Sequence, residues 1–147
     1  MLKNCRIFFA LLLSACAHNP EPSEALKTRF ITVEAMANES NIVALAPTIY
    51  TRELIGKNFD LSPEDRWTAM LWKSLPTRHS YHESISGNEG CLSVNGYSEK
   101  NSPAAIYVQY VKKDSLWLIN LIELNYLESE NDFTTQAKCP VDIEAGY

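Results

Sequence analysis

Twelve consecutive residues near the C-terminus, Leu116 to Leu127, are apolar on both alternations of an extended chain. Even positions Leu116, Leu118, Ile122, Leu124 and Tyr126 make one face, interrupted by Asn120. Odd positions Trp117, Ile119, Leu121 and Leu127 make the other, with Glu123 and Asn125 interposed. Successive strand residues point to opposite sides, so this pattern predicts a central strand with helices covering one side.

The rest of the chain supplies those helices first and further strands afterwards. Leu26, Phe30, Val33 and Ala37 recur at helical spacing, with Ser23 placed to cap and Glu24 in the first turn. Polar Asn38 to Asn41 ends that helix, and Ile42 to Ala46 fits another turn that Pro47 should stop. Thr48 to Phe59 fits either helix or loop. Ser62-Pro63-Glu64-Asp65 is a helix start, followed by a stripe of Trp67, Met70, Leu71 and Ser74 and closed by Pro76.

Past residue 76 the residues are those of strands and turns. Thr77 to Ser86 leads into the turn cluster Ser86 to Gly90, Cys91 to Val94 reads as a strand, and Asn95-Gly96 carries turn chemistry. Ala104 to Val111 alternates, and Lys112-Lys113-Asp114-Ser115 is a polar hairpin connection into the long apolar strand. Helices followed by strands predict one α+β domain over residues 23–147. Its helices should lie on the concave side of a curved antiparallel sheet of about four strands.

The N-terminus has a different character. Lys3 and Arg6 precede an uncharged apolar run from Ile7 to Leu13, followed by the small residues Ser14 and Ala15 and then by Cys16. That is the order of a secretory signal, and the run is too short to remain as a membrane span. Leu13-Ser14-Ala15-Cys16 resembles the lipobox of bacterial lipoproteins. The resemblance implies a signal peptide over 1–15, cleavage between Ala15 and Cys16, a diacylglycerol on the Cys16 thiol and acylation of the new α-amine. An ordinary signal peptide with an incidental Cys16 is the alternative. In diderm lipoproteins an Asp after the lipidated Cys signals inner-membrane retention. Ala17 stands there, so the resemblance favours the periplasmic leaflet of the outer membrane. Residues 16–22, with Pro20 and Pro22, read as an extended tether that also carries His18.

Net charge is −5, from 13 basic and 18 acidic residues. Loss of the signal removes Lys3 and Arg6 and no acid, making the mature chain more acidic still. That balance disfavours nucleic acid as a partner. Of the four cysteines, Cys5 would leave with the signal and Cys16 would carry lipid. Cys91 and Cys139 would then meet in an oxidising periplasm, where a disulfide pinning the tail to the Cys91 strand is expected. A metal or redox pair is the alternative, without Cys-x-x-Cys spacing or nearby histidines to support it.

The order of elements, with Val-Gln-Tyr-Val-Lys-Lys-Asp-Ser-Leu-Trp-Leu-Ile at 108–119, resembles the nuclear transport factor two-like (cystatin-like cone) family from Ser23 to about Glu128. Ser115 stands where that family's hairpin usually has Gly. The resemblance implies a sheet whose concave face lines a pocket, in which some members use a carboxylate to move protons.

No phosphate-binding Gly-rich loop and no Gly-x-Ser-x-Gly elbow occurs, and no cofactor is implied. His79 and His82 lie three apart, on opposite faces of a regular strand, and do not make a metal site. Glu123 is the candidate acid, with Asn125 sharing its face and Tyr126 beside it. The alternative places Glu123 at solvent, paired with Lys112 or Arg78. The function expected is a non-enzymatic envelope module held by lipid on Cys16 and binding a ligand or protein partner. One form is an immunity protein against a secreted toxin, its acidity steering a basic target. A small isomerase or hydrolase using Glu123 is the alternative.

Overall fold

Four antiparallel strands follow one another in the computed structural model, which describes residues 25–56, 62, 66 and 69–144. They are β1 (Thr77–Ser86), β2 (Glu89–Tyr97), β3 (Pro103–Lys113) and β4 (Leu116–Tyr126), joined in the order β1-β2-β3-β4. Helices α1 (Ala25–Met36), α2 (Ile42–Ile49) and α3 (Arg52–Ile55) precede the sheet, with a short 3-10 turn at Leu71–Ser74. The fold is therefore α+β, with helices packed on one face of a curved sheet. The lipobox, the tether and Ser23 lie outside the described residues, as do Pro63, Glu64, Asp65 and Trp67. Ser62 and Arg66 are described, and the Arg66 N–H donates to the Ser62 carbonyl at 2.9 Å, a helical bond.

Two of the hairpin turns are closed by residues of positive φ. Asp114 and Ser115 both adopt positive φ (49° and 66°) between the paired Lys113 and Leu116, the conformation that matches strand twist in a two-residue loop. Gly87 does so at 61° between Ser86 and Glu89.

The inner, helix-covered face carries the core. The α1 stripe is buried as its spacing predicts, with Leu26, Phe30, Val33 and Ala37 all sealed. Trp72, Tyr50 and Tyr110 are the largest fully buried side chains beside Phe30, each contributing roughly 2–3 kcal/mol through loss of apolar surface to water. Two charged groups of β1 fasten α1. The Glu83 carboxylate accepts from the Lys27 N–H at 2.8 Å, in the helix's first turn where the dipole favours an anion. Arg78 pairs with Glu34 at 2.6 Å near the other end. Pro47 does not stop α2, which continues to Ile49. The proline forfeits only the bond to the Val43 carbonyl, and burial of Ile42, Ala46 and Ile49 outweighs that loss.

β4 is not central; it is an edge strand. Its two apolar alternations arise from a bulge, because Gln109 pairs with Leu121 while Tyr110 pairs with Ile119. Asn120 is the extra residue, and beyond it the alternation reverses. Trp117 and Ile119 before the bulge, and Ile122 and Leu124 after it, consequently all pack into the inner core. The exposed edge is blunted by Tyr50, which bridges to Ile119 in parallel, and by Thr51. The Thr51 N–H donates to the Ile119 carbonyl at 2.9 Å and its hydroxyl to Asn120 Oδ1 at 2.9 Å.

Asn95-Gly96 is likewise not a turn. Both residues lie inside β2, which reaches Tyr97, and the connection to β3 is made by 98–102. Gly96 is required there by close approach, since a Cβ would meet the Thr77 carbonyl oxygen at 2.2 Å and Leu75 at 3.0 Å.

The outer face is covered over β2 by the C-terminal tail. Asn95 bonds the backbone of Thr134 in both directions, and the Ser93 hydroxyl accepts from the Lys138 N–H at 2.8 Å. Cys91 is joined to Cys139 with Cα atoms 5.0 Å apart. Alternate residues of one strand thus hold a strap running antiparallel to it, and Ser93 and Asn95 are fully buried beneath. A last helical turn follows at Val141–Glu144.

Candidate functional site

Glu123, Asn125 and Tyr126 do not converge. Glu123 pairs with Tyr107 and Asn125 with Ala105, all on the outer face away from the helices. Both are half-buried. Tyr126 points to the other side and is 65% exposed. The resemblance implies a pocket on the helix-covered face, but Glu123 is directed away from it, and that face around Tyr110, Tyr50 and Trp72 is filled by side chains. The proposed partners of Glu123 are engaged elsewhere: Arg78 holds Glu34, and the Lys112 ammonium lies over the Trp117 ring, 5.5 Å from its centre.

The histidines are placed by a second bulge, between Arg78 and Ser80, which turns His79 to the outer face. There it stacks on Phe133 at 5.2 Å and meets the edge of Tyr97. His82 shares that face opposite Ser93. A regular strand would have separated them; the bulge restores them to one side. Among the described residues no group of three His, Cys, Asp or Glu stands close enough to hold a metal.

The helix-covered face does contain polar groups under strain of solvation. Burial raises the Tyr50 and Tyr110 phenols above their ordinary range. The Tyr50 hydroxyl donates to the Ala69 carbonyl, whereas that of Tyr110 has no hydrogen-bond partner among the described residues. Arg29 is lowered by its own burial and is held by the Trp117 carbonyl at 3.0 Å and by that of Thr48. These groups cross-brace α1, α2 and β4, with Arg29 joining all three.

An open concavity among the described residues lies elsewhere, at the end of the sheet where β2 turns into β3. It has a volume of about 450 Å³. Ser98, Glu99, Lys100 and Ser102 of the β2–β3 connection form one wall. Lys73 and Ser74, from the 3-10 turn, and Tyr126, at the end of β4, form the rest. The connection is self-braced. The Ser98 N–H donates to the Ser102 carbonyl at 3.0 Å, the Asn101 N–H to the Ser98 carbonyl at 2.9 Å, and the Ser102 N–H to the Ser98 hydroxyl at 3.2 Å. Asn101 takes φ 58°, a conformation its short polar side chain tolerates. Of this wall and its neighbours, sequence reasoning singled out Tyr126 as a pocket residue and read Ser74 as part of a helical stripe. The available signal was the run Ser98-Glu99-Lys100-Asn101-Ser102, five polar residues between two strands.

This concavity and the start of the domain are at opposite poles. Lys27 bonds Glu83 and Leu26 lies against Gly90, so Ala25 emerges beside the β1–β2 hairpin. The 98–102 connection is at the far end of the same strands. Eleven residues of β3 separate the poles by roughly 30 Å at strand rise. No described helix is long and apolar enough to cross a membrane. Comparison with family models, with curated proteins and with solved structures finds no match for this chain.

Proposed function

We propose that this chain is a membrane-anchored envelope lipoprotein whose folded domain is a non-enzymatic binding module. Leu13-Ser14-Ala15-Cys16 supplies the anchor in this reading, with lipid on Cys16 and the domain in the periplasm at the outer membrane. The observation that carries it is the Cys91–Cys139 disulfide, which pairs the two cysteines left after the signal and the lipid have claimed the others. That bond seats the strap on the outer face, and a structural disulfide supports the reading of an oxidising compartment. The polar architecture supports binding over proton transfer, since Glu123 and Asn125 lie on the outer face, away from the helix-covered side on which Tyr126 lies. The likeness to the cone-like family belongs to this same proposal, as a scaffold that presents a concavity.

Growth with an alkyne-labelled fatty acid, followed by capture of the full chain, tests the anchor. Label on the wild-type chain and its loss in Cys16→Ser, together with release from the outer-membrane fraction, is the expected result. An unlabelled wild-type chain, or unchanged processing of Cys16→Ser, overturns it.

A further inference from the structure

We propose that the concavity at the β2–β3 pole binds an anionic saccharide, a sugar carrying a carboxylate or a phosphate. This deepens the reading of the domain as an envelope binding module and rests on it. Four features of the site converge on that ligand.

The first is charge. The chain is acidic overall, with net charge −5, yet two basic residues, Lys73 and Lys100, line this concavity beside one acidic residue, Glu99. The local balance is cationic, and two point charges are suited to one small anionic group rather than to a polyanion.

The second is hydroxyl chemistry. Ser74, Ser98 and Ser102 line the same space, and a serine hydroxyl both donates and accepts, matching the hydroxyls of a sugar. The Ser98 hydroxyl accepts from the Ser102 N–H at 3.2 Å, so its own proton remains to be donated. Glu99 adds an acceptor for a further sugar hydroxyl.

The third is the aromatic ring. Tyr126 is 65% exposed at the end of β4. An aromatic residue with one apolar face and a wet hydroxyl is suited to a ligand that is itself apolar on its C–H faces and polar at its rim. At about 450 Å³ the space lies within the range of small-ligand sites and accommodates one or two sugar rings.

The fourth is position. The domain begins at the β1–β2 pole and the concavity opens at the other, roughly 30 Å away at strand rise. A lipid anchor on the N-terminal side would join the domain at the pole opposite this site. Sugars of the cell-wall glycan carry carboxylates, and lipid headgroups carry phosphates on sugar; the shared chemistry is the anion on a saccharide, and position favours the first source.

The test is calorimetric titration of the full acylated chain in detergent with N-acetylmuramic acid, glucose 1-phosphate and neutral N-acetylglucosamine. Binding of at least one anionic sugar with a Kd of about 1 mM or tighter, and about tenfold weaker binding of the neutral sugar, is expected. Tyr126→Ala and the double variant Lys73→Ala/Lys100→Ala should each weaken it by about tenfold. Preference for N-acetylmuramic acid assigns the wall source, and preference for glucose 1-phosphate the headgroup source. Lys100 and Tyr126 are exposed and Lys73 is half-buried in the 3-10 turn, so the circular dichroism melt should move little, which separates lost contacts from lost fold. Silence with both anionic sugars, equal affinity for the neutral one, or tighter binding of a glutamate tripeptide overturns the proposal. Because the titration reads the ligand and the fatty-acid label reads the anchor, an acylated chain that ignores sugars sinks this inference alone. An unacylated chain sinks the anchored reading, whatever it binds.

Discussion

The side-chain amide of Asn95 pairs with the backbone of Thr134 as a neighbouring strand would. Its Nδ2 donates to the Thr134 carbonyl at 2.8 Å and its Oδ1 accepts from the Thr134 N–H at 3.2 Å. Asn95 is fully buried and Thr134 nearly so, so these bonds are shielded from water. With Ser93–Lys138 and Cys91–Cys139 they form one seam between β2 and the tail.

Asn95→Ala should leave both backbone groups of Thr134 without partners, at a cost of roughly 2–4 kcal/mol. Asn95→Asp keeps the acceptor but sets a carboxylate against the Thr134 carbonyl, and should be at least as damaging. Urea unfolding checks both, and faster amide exchange of Thr134 should accompany the loss.

Removing the disulfide should be comparable in size. Cys91 and Cys139 are 48 residues apart, and closing such a loop stabilises by about 4 kcal/mol on the chain-entropy model. Treatment with a dithiol, or the paired Cys91→Ser/Cys139→Ser change, should lower the urea midpoint accordingly. The tail from Thr134 to Lys138 should gain amide exchange before the sheet does. Uniform loss of protection across β2, β3 and the tail together would show that the strap and the sheet unfold as one unit.

Gly96→Ala should be among the costliest single-methyl additions. The new carbon would sit 2.2 Å from the Thr77 carbonyl oxygen, which is backbone and cannot swing aside. A loss of about 2–3 kcal/mol is expected from the forced separation of β1 from β2. A thermal melt of Gly96→Ala beside wild type measures it.

Tyr50 and Tyr110 should respond in opposite directions to loss of the hydroxyl. Tyr50→Phe strips the Ala69 carbonyl of its donor and should cost about 1–3 kcal/mol. Tyr110→Phe removes a hydroxyl that is buried without a partner among the described residues, and should be neutral or stabilising by about 1 kcal/mol. Burial raises both phenols. The folded state therefore keeps protons that the unfolded state loses near pH of about 10, and stability is complete below that value and falls as pH rises above it. Alkaline unfolding followed by tyrosinate absorbance should accordingly shift to higher pH in Tyr110→Phe.

Several elements were readable from local pattern. Leu26, Phe30, Val33 and Ala37 announce α1 because a helix repeats its buried side regardless of what it packs against. Asp114-Ser115 marks the hairpin because two polar residues between apolar strands can take positive φ. Cys91 and Cys139 were matched by elimination, on the expectation that Cys5 leaves with a signal and Cys16 carries lipid, which leaves two thiols and one pairing.

What escaped the pattern was set by partners distant in the chain. The bulge at Asn120 is a property of the β3–β4 register, so the reversal that buries Trp117 and Ile122 on one side, and the edge position of β4, have no local signature. Asn95-Gly96 carries turn-like residue types, yet the amide is needed by Thr134 and the missing Cβ by Thr77. Pro47 survives inside α2 because the burial of its neighbours outweighs one lost hydrogen bond. The polar concavity exists only because strand pairing brings Lys73, Lys100 and Tyr126 to one pole. Residue order dictates the kinds of element. Register, edge and concavity follow from contacts between residues tens of positions apart, whose energies no short window of sequence contains.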